Sequence, residues 1–193
     1  MLFRSLAGIE RAHSVVIDAH KMLMMPSLAT AVLFRDEGHS FETFSQQASY
    51  LFDRSARQEW YNLGHRTLEC TKRFLSLDLY VALKVKGTAF FAAYLERMVD
   101  LAAQFARAIQ ARPGWELLTP PESNIVCFRY APEGMPDPDA AQVRIREAII
   151  QEGSFFIVKT QVRGRTWLRT TIINPLTTFA DLEALLARIV AGA

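Results

Sequence analysis

Apolar positions fall in short runs near the start of the chain and at helical spacing through its middle and end. Ser14-Val15-Val16-Ile17 is a β-branched run without alternation, the pattern of a strand buried on both faces of a parallel sheet. Ala29 to Arg35 predicts a second strand, closed by the polar Asp36-Glu37-Gly38-His39. From there to about Arg66, polar and aromatic residues mix with no sustained period. A stretch of roughly 30 such residues predicts a loop or lid with a function. Thr67 to about Val85 then reads as a helix, its Leu68, Phe74, Leu75, Leu77, Tyr80, Val81 and Leu83 spread over more than one face. Gly87 interrupts, and Thr88 to about Ala111 predicts an amphipathic helix with a stripe of Phe91, Tyr94, Leu95, Met98, Leu101, Ala102 and Phe105.

Pro113-Gly114 stops that helix, and a second kind of pattern follows. Trp115 to Leu118 and Asn124 to Tyr130 are strand-like, and Asp137-Pro138 supplies an N-cap and a first helical residue for a helix to about Gln151, with Gly153 beyond it. Ser154 to Lys159 and Thr166 to Ile173 predict strands around the basic turn Arg163-Gly164-Arg165. Thr178 with Asp181 caps a last helix, striped by Leu182, Leu185, Leu186, Ile189 and Val190. The order ββαββα predicts an α+β unit, helices on one face of a small antiparallel sheet. The expected division is therefore 1–114 and 115–193.

Composition narrows the classes. With 22 Lys+Arg against 20 Asp+Glu, the net charge of +2 argues against nucleic acid as a partner. No apolar run approaches the ~18–20 residues of a spanning helix, so no membrane partner is expected. Arg4, Glu10 and Arg11 break up any secretory signal at the N-terminus. Cys70 and Cys127 are isolated, which predicts a reducing, cytoplasmic setting. The scattered histidines lack metal-ligand spacing, so no metal is expected. The 50% hydrophobic content and mean hydropathy of +0.07 are high for a small domain that must cover its own core.

The strongest chemical signal is Ser14-Val15-Val16-Ile17-Asp18-Ala19-His20-Lys21. A lysine just beyond a buried strand, followed by the apolar Met22-Leu23-Met24-Met25-Pro26, is expected to face a dry pocket. Desolvation there disfavours its ammonium form and frees the amine for Schiff-base chemistry. A plain surface lysine is the other reading, and the residues alone weigh the two equally.

The segment Leu6 to Arg35, with Ala7-Gly8-Ile9-Glu10-Arg11-Ala12 leading into Asp18-Ala19-His20-Lys21, resembles the lysine segment of the group II pyridoxal-phosphate-dependent amino-acid decarboxylases. The likeness continues in order through Tyr50-Leu51-Phe52, Cys70-Thr71-Lys72-Arg73-Phe74, Lys86-Gly87, Asn124-Ile125-Val126-Cys127-Phe128, Trp167-Leu168-Arg169 and Asn174-Pro175. It implies an α/β fold: the end of the large parallel-sheet domain of a fold-type I pyridoxal-phosphate enzyme, plus its small α+β domain. It also implies pyridoxal 5'-phosphate as cofactor, an L-amino acid as substrate and a carboxy-lyase reaction. Lys21 would form the Schiff base, with His20 and Asp18 beside the cofactor. Asp18 stands where relatives often carry Asn near the phosphate. Tyr61 would return the proton to the substrate carbon, or would pack the loop. Arg169 would contact a substrate carboxylate, or pair structurally.

Features around Tyr50, Tyr61, Cys70 and Asn174-Pro175 lean toward 2,4-diaminobutyrate or an acidic amino acid as substrate rather than an aromatic one. Relatives carry a long part ahead of the lysine that supplies the rest of the cofactor site. The expected partner is therefore a second copy or that N-terminal half, whether the chain is a truncated product, a split-enzyme subunit or a fragment. A non-catalytic binding or assembly module is the alternative. Either way, an apolar patch is expected around Lys21 and the helix that follows.

Overall fold

A computed structural model describes residues 6–44, 61–69 and 72–192, so Tyr50-Leu51-Phe52, Cys70-Thr71 and most of the expected loop lie outside the described residues. The chain forms two compact units, one of Leu6–Thr88 and one that includes Ala89–Ala193. This boundary precedes the expected 114/115 division because the long helix beyond Gly87 builds its core with the C-terminal sheet.

In the first unit, β1 (Ser14–Asp18) and β2 (Thr30–Phe34) pair antiparallel, Ser14 opposite Phe34 and Asp18 opposite Thr30. The expectation of a parallel strand buried on both faces is corrected here. Among the described residues the hairpin has no neighbouring strand on either flank, and Val16 is 62% exposed, with Ile17, Val32 and Leu33 also on the surface. The β-branched run records a strand's preference, not its covering. The expected irregular stretch opens with a helix, α1 (Glu37–Phe44), where the Asp36 carboxylate accepts the Gly38 N–H at 2.9 Å and Phe34 meets Phe44 edge-on. A 3-10 turn, Leu63–Arg66, follows Asn62, whose side chain accepts the Gly64 N–H.

The next helix, α2 (Leu75–Gln110), starts at Leu75 instead of Thr67. The Thr67 hydroxyl accepts from the Lys72 ammonium at 2.9 Å and from the Glu69 N–H, local bonds that compete with helix formation. Gly87, at φ 76°, interrupts α2; a left-handed residue there suits glycine alone. Before it, Leu77, Tyr80, Val81 and Val85 are exposed.

In the second unit, the α2 residues after Gly87 bury Phe91, Tyr94, Met98, Leu101, Ala102, Phe105, Ala106 and Ile109, the stripe the spacing predicts. The sheet comprises β3 (Trp115–Leu117), β4 (Ile125–Tyr130), β5 (Val158–Val162) and β6 (Arg165–Thr171), in the order β3-β4-β6-β5. All of its pairings are antiparallel. Arg163 and Gly164 both take positive φ, 53° and 73°, which makes a two-residue hairpin whose twist matches its strands. That turn sets β5 at Val158–Val162, later than the expected 154–159. Helix α3 (Pro138–Glu152) is capped by Asp137 and ended by left-handed Gly153, and α4 (Phe179–Ala191) opens on a Thr178/Asp181 capping box.

Gln142 locks α3 to the end of β4. Fully buried, its amide donates to Tyr130 O at 2.7 Å and Pro138 O at 2.9 Å, and its Oε1 accepts the Tyr130 N–H at 3.1 Å. Gln142→Leu is expected to cost about 2–4 kcal/mol, because the Tyr130 peptide groups lose their partners inside the fold. Urea unfolding monitored by circular dichroism reads this loss.

Candidate active site at the end of the first strand

Strand β1 ends at Asp18, and the chain turns through 19–29 before returning as β2. The Ala29 carbonyl closes this loop by accepting the Ala19 N–H at 2.8 Å and His20 Nδ1 at 3.1 Å. The Met25 N–H donates to Ala19 O at 3.1 Å, and Ala19, Met25 and Ala29 are buried. The Ser27 hydroxyl donates to Asp78 at 2.8 Å, tying the loop to α2 within the same unit. A carbonyl oxygen only accepts, so His20 Nδ1 donates to Ala29 and Nε2 is left for another partner.

Lys21 stands three residues beyond Asp18. Its N–H returns to the Asp18 carbonyl at 3.1 Å, and its Nζ lies 2.5 Å from Asp18 Oδ2. The other carboxylate oxygen accepts the Thr30 hydroxyl at 2.7 Å. Hydrogen bonds from Lys21 and Thr30 hold the Asp18 carboxyl below the usual carboxylate range. The expected dry pocket is corrected: the Lys21 side chain is 63% exposed. The methionines meant to desolvate it fold into the loop, Met25 buried and Met22 and Met24 half-buried.

Asp18, His20 and Lys21 thus share one clasped loop. Tyr61 lies in the same unit and is exposed. A cleft of about 510 Å³ in that unit is lined by Ala19, Ala29, Thr30, Leu63, Thr67 and Phe74, among others. Arg169 belongs to the other unit, on β6 opposite Cys127 and Val158. Burial pushes the Cys127 thiol up, and the Arg169 charge pulls it partly back.

Thr30 is the site residue that sequence reasoning missed. Its signal was the antiparallel register, which sets it across from Asp18. Arg129 was missed as well. Its side chain is 8% exposed, it grips Glu116 through two bonds of 2.9 and 3.1 Å, and it lies over the Trp167 ring. Its partners mark it as a structural ion pair of the second unit. Among the described residues, no group of His, Cys, Asp and Glu is arranged to hold a metal, and no helix is long and apolar enough to cross a membrane.

Residues 2–131 match the family model described as the pyridoxal-dependent decarboxylase conserved domain. The chain belongs to the pyridoxal-dependent decarboxylase family. It is 29% identical over 189 residues to an aromatic-L-amino-acid decarboxylase of Bacillus atrophaeus, covering 95% of this chain and 39% of that protein. It is 30% identical over 193 residues to an L-2,4-diaminobutyrate decarboxylase of Acinetobacter baumannii, covering 97% and 37%. The solved glutamate decarboxylase domain of a Vibrio parahaemolyticus diaminobutyrate-pyruvate transaminase and L-2,4-diaminobutyrate decarboxylase superposes with a TM-score of 0.76 at 26% identity, covering 96% of this chain and 35% of that one. The chain therefore spans well under half the length of these relatives. Its fold is that of the C-terminal part of a fold-type I pyridoxal-phosphate enzyme, and the family's cofactor is pyridoxal phosphate.

Most of the donor set on the Asp18–Ala29 loop fits that cofactor. A solvent-reachable primary amine suits an aldehyde, and a ring nitrogen of His20 not engaged with Ala29 is left for a further polar partner. The Asp18 carboxylate is the exception, and Lys21 and Thr30 already occupy both of its oxygens.

Proposed function

We propose that this chain supplies the lysine-bearing and C-terminal portion of a pyridoxal-phosphate-dependent carboxy-lyase acting on an L-amino acid. The observation that carries the reading is Lys21 next to His20 on a clasped loop at the end of β1, inside the stretch that matches the family. Pyridoxal phosphate supplies the electron sink for the pair of electrons left when carbon dioxide departs. In this reading Lys21 holds the cofactor through Nζ and yields it to the substrate amine. His20 directs Nε2 to the phosphate. Tyr61 returns a proton from its hydroxyl, and Arg169 grips a substrate carboxylate with its planar fork.

The chain spans 39% and 37% of two relatives, and the reading includes a partner, either a second copy of the chain or the N-terminal half that such relatives carry, in a cytoplasmic enzyme. Exposed apolar residues on both faces of the hairpin, Val16 and Val32 on one and Ile17 and Leu33 on the other, support it, since uncovered apolar surface marks interaction sites. The same exposed residues favour a second reading, a non-catalytic assembly module.

Carbon dioxide release separates the two. The purified chain and the chain co-produced with an N-terminal portion are each offered 2,4-diaminobutyrate, glutamate and an aromatic amino acid. Release is expected in the co-produced sample alone, and its loss in Lys21→Ala is part of the expectation. No release from any substrate, or release that survives Lys21→Ala, contradicts the carboxy-lyase reading.

A further inference from the structure

We infer that Asp18 is a positioning residue that restrains Lys21, holding its Nζ at the end of β1 so that the amine meets an aldehyde only after leaving the carboxylate. The inference deepens the reading of Lys21 as the cofactor-capturing lysine and rests on it. Nζ lies 2.5 Å from Oδ2, and the carboxylate is itself anchored, its Oδ1 accepting the Thr30 hydroxyl at 2.7 Å. The turn from Asp18 O to the Lys21 N–H fixes the spacing of the pair. His20 is the other titratable group acting on Asp18. Its Nδ1 is committed to Ala29 O and does not relieve Lys21 of its partner.

The chemistry makes the restraint matter. Attack on an aldehyde needs the nitrogen lone pair, which the ammonium in an ion pair lacks. One proton must first pass to solvent. The lone pair then bonds to the aldehyde carbon, the carbonyl oxygen leaves as water with the two remaining amine hydrogens, and a carbon–nitrogen double bond remains. An exposed ion pair is weak, so the expected effect is about three- to fivefold in rate.

Reductive methylation with formaldehyde and cyanoborohydride, followed by peptide mass spectrometry, measures this without any cofactor. Lys159, exposed on β5, serves as reference within the same chain. Asp18→Asn is expected to raise the Lys21-to-Lys159 labelling ratio about three- to fivefold, and Asp18→Glu to restore most of the restraint. Added salt gives a reading that needs no substitution, because screening should raise the wild-type ratio toward that of Asp18→Asn. A ratio unmoved by both the substitution and salt overturns the restraint. Formaldehyde requires no binding site. A ratio that rises as expected in a chain forming no adduct with pyridoxal phosphate therefore upholds the restraint and removes the cofactor reading instead.

Discussion

Phe105→Ala is expected to destabilise the second unit by about 3–5 kcal/mol, the cost of emptying a fully packed aromatic site. Phe105 is completely buried on α2, and its ring meets Phe128 of β4 edge-on at 5.3 Å between centroids. Phe128 in turn lies opposite Leu168 of β6, also completely buried. Truncating Phe105 removes ring–ring contact and apolar burial together, and the helix and sheet backbones on either side restrict collapse of the cavity. Phe105→Leu keeps most of the volume and should cost about 1 kcal/mol. Denaturant unfolding followed by the fluorescence of Trp115, which lies 6.0 Å from Phe128, reads both variants. A loss below about 1 kcal/mol for the alanine variant would place the core of this unit elsewhere.

The largest functional effect is expected at Lys21. Lys21→Ala should abolish covalent capture of pyridoxal phosphate while leaving thermal stability nearly unchanged. The side chain is largely exposed, and exposed ion pairs contribute little to folding. Lys21→Arg sharpens the test, because it keeps the positive charge beside Asp18 but offers no amine that deprotonates. If charge alone drew the phosphate, the arginine variant would hold the cofactor as well as wild type. If the amine is required, both variants lose the visible absorbance band of the bound cofactor.

The sequence made the second unit legible because its signals are local. Asp137-Pro138, Gly153 and the Thr178/Asp181 pair mark helix ends through hydrogen bonds a few residues long, and Arg163-Gly164 marks a hairpin through backbone sterics. The first unit depends on nonlocal facts. The run Val15 to Ile17 signals a strand, but its antiparallel partner and its exposure follow from what lies beside it. The start of α2 was hidden because Thr67 redirects the backbone through its hydroxyl. At the candidate site the motif was legible and the electrostatics were not. Lys21 could be singled out from its neighbours in the chain, with a plain surface lysine weighed equally, whereas the Thr30 hydroxyl that anchors Asp18 is brought across only by the register.

The central claim is that Lys21 is the residue through which this chain takes up its cofactor. Incubation with pyridoxal phosphate, reduction with borohydride and peptide mapping by mass spectrometry test it most directly. The account predicts a reduced pyridoxyl adduct concentrated on the peptide that carries Lys21, with Lys84 and Lys159 nearly unmodified. An adduct spread evenly over Lys21, Lys84 and Lys159, or concentrated on either of the last two, would contradict it.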